Sequence, residues 1–408
     1  MTLQTSLNLT AMNAALKELY DGQVVNDLVY ADNPFLAMVP KKTDFGGKYL
    51  PQPIITAASQ GRSATFSQAQ GNQTAVSIQS FLLTRVSDYS IATIDNQTML
   101  ASATDKMSFL EGAKILIDGA IRSCTNSTSS GIFRSGTGSI AVNGGISTGV
   151  ITLATSSDVV QFEQGMTLQA AATDGGTPRA AYGYVIAVDR TNGIVTVSAS
   201  SIGGSAGTPS GWTSGDYLLV AGDSNAKCKG LAAWLPTTAP TTGDNFFGVD
   251  RSVDVTRLAG IRYVGTSQSI EEALLDGSNL VAREGGKPDH CIMSFASYSA
   301  LEKSLGSKVQ YVDAKAGNIG FRGIMVNGAN SSIRVFPDRN CQNQTAYLLT
   351  MNTWCLRSLG DVPQILRYGD GLEMLRVYNA DSGEVRVGAY YQLACNAPGW
   401  NGVISLSA

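Results

Sequence analysis

Residues 104–122, TDKMSFLEGAKILIDGAIR, constrain this chain more than any other stretch. Ala103, Met107, Leu110, Ile117, Ala120, Ile121 and Cys124 recur at three- and four-residue steps, and Thr104 or Asp105 stands where an N-cap would be. An amphipathic helix is therefore expected. Gly112 and Gly119 fall near one side of it, and each costs about 1 kcal/mol of helix propensity against Ala, so a second backbone is expected to cross closely there. A long polar hairpin precedes the helix and a β-rich block follows it. Neither carries enough apolar residues to form the main core, so the helix should organise it.

A chain of 408 residues with 43% apolar content can fill real cores. Charged residues make up only 15%, which leaves little repulsion between copies and points to large self-contacting surfaces. A net charge of −3 and the lack of any five-residue Lys/Arg run argue against tight reading of nucleic-acid grooves. Asn8, Thr10, Asn13 and Lys17 interrupt the apolar run that a signal peptide would need, and no stretch has the 18 apolar residues of a membrane span. A soluble protein made in a reducing cytoplasm is expected. Cys124, Cys228, Cys291, Cys341, Cys355 and Cys395 are scattered without metal-ligand spacing and read as buried thiols.

In chain order, residues 9–20 suggest a short helix with Met12, Leu16, Leu19 and Tyr20 on one face, within a leader that ends at NPFLAMVPK. Residues 49–56 and 76–94 alternate as strands, whereas 57–75 hold one large apolar residue, Phe66. This predicts a long two-stranded arm with a polar tip. Such a ribbon is marginal alone, and its edges suit strand addition or packing onto another copy. Residues 136–222 carry short β signals, with Asn192-Gly193 as a tight hairpin, and predict an inserted barrel or sandwich flanked by Ser135-Gly136 and Gly222-Asp223. Beyond it, Ser269 and Glu272 form a capping box ahead of a helix stopped by Gly285. Strands around 291–295, 323–327, 333–336 and 346–351, with a helix at 298–305 closed by Gly306, make this region α+β. The final segment from Gly383 is again strand-like and should pair beside the central helix.

The only histidine, His290, sits in the string Asp289-His290-Cys291. Adjacent strand residues point to opposite faces, so this triplet cannot form a nucleophile and base dyad. Glu271 and Glu272 read as the opening of a helix. No phosphate-cradling GxxxxGK[ST] or strand-linked GxGxxG appears. No catalytic, cofactor-binding or metal residue is assigned. Lys48, at the base of the arm, is a candidate for an isopeptide bond to another copy, against the plainer reading of a solvated lysine.

The order of parts, with the strings NPFLAMVPK, GGKYLPQPI, QGRSATF, FFGVDRS, RLAG and CNAPGWN, resembles the major capsid proteins of tailed double-stranded DNA bacteriophages, the Hong Kong 97 fold. The resemblance implies an α+β capsid fold divided as follows: residues 1–44 an N-terminal arm, 45–95 an extended loop, 96–135 a spine helix and peripheral domain, 136–222 an inserted β-domain, 223–382 an axial domain, and 383–408 return strands of the peripheral domain. It also implies that Lys48, Arg62, Phe66 and Phe35 contact other subunits. Pentamers and hexamers would close an icosahedral shell around double-stranded DNA, with a separate scaffolding protein, a portal and a decoration protein as further partners, and with no membrane and no cofactor. The chain would be a virion component assembled in the host cytoplasm. The family's cross-link pair cannot be matched here residue by residue. Two other readings remain open: an encapsulin-like nanocompartment shell, and a carbohydrate-binding or adhesive β-rich protein.

Overall fold

The computed structural model describes residues 33–95, 106–305, 311–316, 319–367 and 374–407. The expected leader helix, the N-cap at Thr104 or Asp105 and the Gly306 stop lie outside them.

The amphipathic pattern forms one long helix, Lys106–Gly131. It lies against a six-stranded sheet whose axis is the strand Ser382–Cys395. Along one side of that strand run Trp354–Ser358, Gln364–Ile365 and Met374–Arg376; along the other runs Val86–Asp95, antiparallel over its whole length. Ile117, Ile121 and Cys124 of the helix share a buried core with Ala92, Ile94, Val385 and Val387 of the sheet. No backbone crosses at Gly119: a side chain added there would meet nothing within 4 Å. The close approach is at Gly131, where an added side chain would lie 3.2 Å from the Tyr391 hydroxyl.

The block after the helix closes into a six-stranded barrel running from Ser139 to Val220. Ile151, Phe162, Leu168, Val185, Val195 and Leu218 fill it. Two features differ from expectation. The first strand, Ser139–Ser147, carries little alternation because Asn143, Gly144 and Gly145 interrupt it, and a bulge falls there. The hairpin at Asn192-Gly193 is a longer loop in which only Gly193 has positive φ; the Asp189 carboxylate holds it by accepting the Thr191 and Asn192 amides. The barrel leaves and rejoins its host through Gly136, Gly138 and Gly222, all at positive φ. A side chain at Gly138 would collide with the Asp223 carbonyl. The Lys227 ammonium closes the junction at 2.9 Å from Asp88, 3.1 Å from Asp223 and 2.7 Å from the Ser127 hydroxyl. Burial alone would lower this lysine's pKa, but the two carboxylates hold it above its ordinary value.

A seven-stranded sheet forms the remaining core with the helices Ile270–Arg283 and Phe295–Leu305. The capping box at Ser269 and Glu272 is present, and Gly285 follows the helix at positive φ. Sequence order misleads in two places. Strands from 354 to 376, expected in the axial region, pair with Ser382–Cys395 in the other sheet, and the last strand, Gly402–Leu406, leaves the long helix to insert between Ile261–Gly265 and Thr345–Leu349. The two cores are thus stitched together by the tail of the chain.

The start of the described chain is anchored by a buried carboxylate. Asp338, 1% exposed, accepts the Asn340 amide at 2.9 Å and the Phe35 amide at 3.4 Å, while the Asn340 side chain reaches Asn33 at 3.1 Å. Burial pushes its carboxyl up to about 6, offset in part by these amides and by Arg339. A carboxyl raised on folding favours the fold while protonated, and that contribution is lost as pH rises from about 4 through about 6. Asp338→Asn should therefore gain on the natural chain by up to about 3 kcal/mol between pH 4 and pH 7, read as the difference between their urea denaturation curves at the two pH values.

Candidate assembly surface

The polar-tipped arm is a two-stranded antiparallel ribbon, Tyr49–Ala57 with Ser77–Thr84, and its alternation sorts side chains onto two faces. The inner face carries Leu50, Gln52, Ile54, Phe81 and Leu83. Phe81 and Leu83 are fully buried, Leu50 and Ile54 pack on the main core, and Gln52 is hydrogen-bonded to Asn396. The Phe81 ring stands edge-on to Trp234 at 5.2 Å and to Phe246 at 6.1 Å. The ribbon therefore rests on its own body along its base, and the marginal stability expected of a two-stranded ribbon is met there by its own chain.

The outer face is different. Tyr49, Pro51, Pro53 and Ile55 project from one strand, opposite Thr84, Leu82, Ser80 and Ile78 on the other. Ile55 and Ile78 are 60% and 62% exposed, and Tyr49 and Leu82 are nearly half exposed. A row of apolar side chains on a polar protein marks a contact surface.

The edge of Tyr49–Ala57 does not invite another strand. The Leu82 amide points out of the ribbon and donates to the Phe247 carbonyl at 2.8 Å. Leu82 faces Pro51, so this pair does not bond across the ribbon, and the nitrogens of Pro51 and Pro53 lie on the outer edge of their strand. Proline has no N–H to offer, so that edge is blocked where strand addition would begin. Strand addition, one of the two expected modes of contact, is thus disfavoured along the Pro51 and Pro53 edge, and the ribbon also offers a face.

Residues 58–76 form the tip, with the short helix Phe66–Gly71 closed by the Thr74 amide bonding the Gln60 carbonyl at 2.7 Å. Phe66 is 83% exposed and Arg62 is exposed beside it in sequence. Lys48 is exposed at the base, its ammonium 5.2 Å from the Tyr49 ring centre. Phe35 does not belong with these three. It is fully buried in its own chain, 5.3 Å from the Phe133 ring, and is not available to a second copy.

The other candidate chemistry does not assemble. Cys291 is fully buried and burial pushes its thiol up, while the half-buried His290 ring lies over Phe336 with Nδ1 3.1 Å from Asp289. All six cysteines are free and buried. Among the described residues no three His, Cys, Asp or Glu side chains converge on a metal position, and no helix is long and apolar enough to cross a membrane. A cleft of about 1190 Å³ separates the long helix from the barrel. Two of its charged walls, Lys227 and Asp88, pair with each other at 2.9 Å, and a third, Arg134, pairs with Asp158 at 2.8 Å, so it reads as the seam between two bodies.

No protein-family model and no curated protein matches the chain. Among solved structures, a chain of the cyanophage A-1(L) capsid asymmetric unit superposes with a TM-score of 0.51 at 13% identity, covering 92% of each chain. Chains of a native GTA particle capsid and of the holo-SrpI encapsulin complex from Synechococcus elongatus PCC 7942 give TM-scores of 0.45 and 0.43 at 9% and 8% identity. They cover 91% and 96% of this chain and 90% and 94% of theirs, and they are too distant to argue from.

The two faces of the ribbon make opposite predictions. Phe81→Ala should cost about 3–5 kcal/mol, and Phe66→Ala no more than about 0.5 kcal/mol. Chemical denaturation of the dissociated subunit measures both.

Proposed function

We propose that this chain, whose fold is that of the Hong Kong 97 capsid proteins, is a structural subunit of a closed protein shell and performs no chemistry. The observation that carries the reading is the ribbon, ordered on its own body along one face while presenting an apolar outer face and an aromatic tip to solvent. A solitary protein gains nothing from such a face. A shell subunit gains a contact repeated in every copy, and many modest contacts sum to a stable assembly. The low charge content fits the same reading, since weak repulsion allows pentamers and hexamers to pack edge to edge.

The proposed content is double-stranded DNA, the shell being a phage capsid. A net charge of −3 gives the inner wall no strong hold on DNA, which suits a container. The barrel and the cleft are then shell furniture, and His290 is a stacked residue at the mouth of a strand.

Electron microscopy of the purified chain, alone and with co-expressed partner proteins, should show closed shells with five-fold vertices. Nuclease-resistant DNA inside them supports the capsid reading, whereas protein cargo without nucleic acid would replace it with a nanocompartment. Replacing residues 58–76 by a two-residue Asn-Gly turn should abolish closed shells and leave the subunit's circular dichroism unchanged.

A further inference from the structure

The cleft between the long helix and the barrel has positive charge to spare. Its carboxylates are taken, Asp88 and Asp223 by Lys227 and Glu163 by Arg190 at 2.9 Å. Its arginines are not. Arg134 spends one nitrogen on Asp158 and leaves its Nε buried with no acceptor, an arrangement that costs free energy until an anion or water fills it. Arg339 donates to the Val160 carbonyl at 3.4 Å and Arg122 is exposed, and neither makes an ion pair among the described residues.

The two walls differ. The helix contributes Ser123, Asn126 and Ser130, while the barrel contributes Ile140, Met166 and Val220. Arg122 stands on the helix wall and Arg339 against the barrel wall. The loop that carries Arg339 sits at the Arg134 end, where the Gln342 side chain donates to the Phe133 carbonyl. From Arg122 to Arg134 the chain advances twelve residues, about 18 Å at the helical rise.

The start of the described chain enters at that same end. Asn33 lines the cleft and is held by Asn340, and the Phe35 ring meets Phe133. The 32 residues before Asn33 are acidic, with Glu18, Asp21, Asp27 and Asp32 against Lys17 alone. Their last six, DLVYAD at 27–32, set two carboxylates around an apolar centre. In an extended chain Asp27 and Asp32 lie about 17 Å apart on opposite sides, with Leu28 and Tyr30 on the Asp32 side. Both the spacing and the sidedness match the cleft: one acid for Arg122 on the helix wall, one for Arg339 and Arg134 at the far end, and the two large apolar residues for the barrel wall.

We propose that residues 27–32 lie extended in the cleft of their own chain, with Asp32 at Arg339 and Arg134, Asp27 at Arg122, and Leu28 and Tyr30 against the barrel. The leader thereby straps the barrel to the long helix. This stands apart from the shell reading, and neither depends on the other.

In this register Val29 falls opposite Asn126. Val29→Cys combined with Asn126→Cys should give, on mild oxidation of the full-length chain, a disulfide within one chain, seen as a linked peptide by mass spectrometry while a non-reducing gel shows monomer. Neither single variant should give it, because the native thiols, Cys124 of the cleft included, are buried. Linked dimers would put the leader in another copy's cleft, and the absence of any link would leave the cleft to water; either overturns the proposal. Should the double variant fail to fold, a charge exchange decides. Arg122→Asp should speed chymotryptic cleavage after Tyr30 about fivefold, and adding Asp27→Arg should return it to the natural rate. Unchanged cleavage in the first variant, or a rate that the second change leaves raised, overturns it as well.

Discussion

Trp234 holds the molecule together. Its ring meets Phe81 of the ribbon, Phe246 and Phe247 of the loop after the barrel and Trp354 of the main sheet, at 4.9 to 6.4 Å, and its Nε1 donates to the Leu393 carbonyl of the return strand. Edge-on aromatic contacts add to burial because the positive rim of one ring meets the negative face of the next. Lys229 and Arg251 lie over the Phe246 ring at 5.0 and 4.1 Å, so cations cap the cluster. Segments separated by up to 312 residues, from Phe81 to Leu393, are thereby fixed on one side chain.

A second constraint sets the barrel. Lys227 lies between carboxylates from two different parts of the chain, and leaving a buried ammonium without them would be costly. The junction therefore has one favourable geometry. Gln161 to Asn340 at 3.1 Å and the Arg339 guanidinium donating to the Val160 carbonyl tie the barrel to the loop that also holds Asn33 and Phe35. An insertion with its own core is thus held at both its stem and its flank, as a rigid part of the subunit.

The reading of the ribbon shows where sequence argument stops. Its two strands and polar tip were legible from alternation, and Phe66 stood out as the one large apolar residue in a polar run. The same alternation puts Phe81 and Leu82 on opposite faces without saying which face is buried; Phe81 is fully buried and Leu82 nearly half exposed. Only the position of Trp234 distinguishes them. Pro51 and Pro53 were visible in the sequence, but their meaning as edge blockers depends on the register, fixed by the outward Leu82 amide. Phe35 was misplaced because an apolar residue in a leader reads the same whether its groove is on its own chain or another.

Local signals were thus decided by the sequence alone: the helix over 104–122, which the structure carries on to Gly131, the capping box at Ser269, and enough strand alternation after the helix to demand a separate β core. These depend on neighbours within a few residues, whose spacing the sequence states directly. Which sheet each late strand joins, why Gly119 faces open space, and which face of the ribbon is left for a partner were decided by contacts between residues far apart in the chain. A strand carries the same pattern whichever sheet receives it, so that choice belonged to the packing around Trp234 and Lys227.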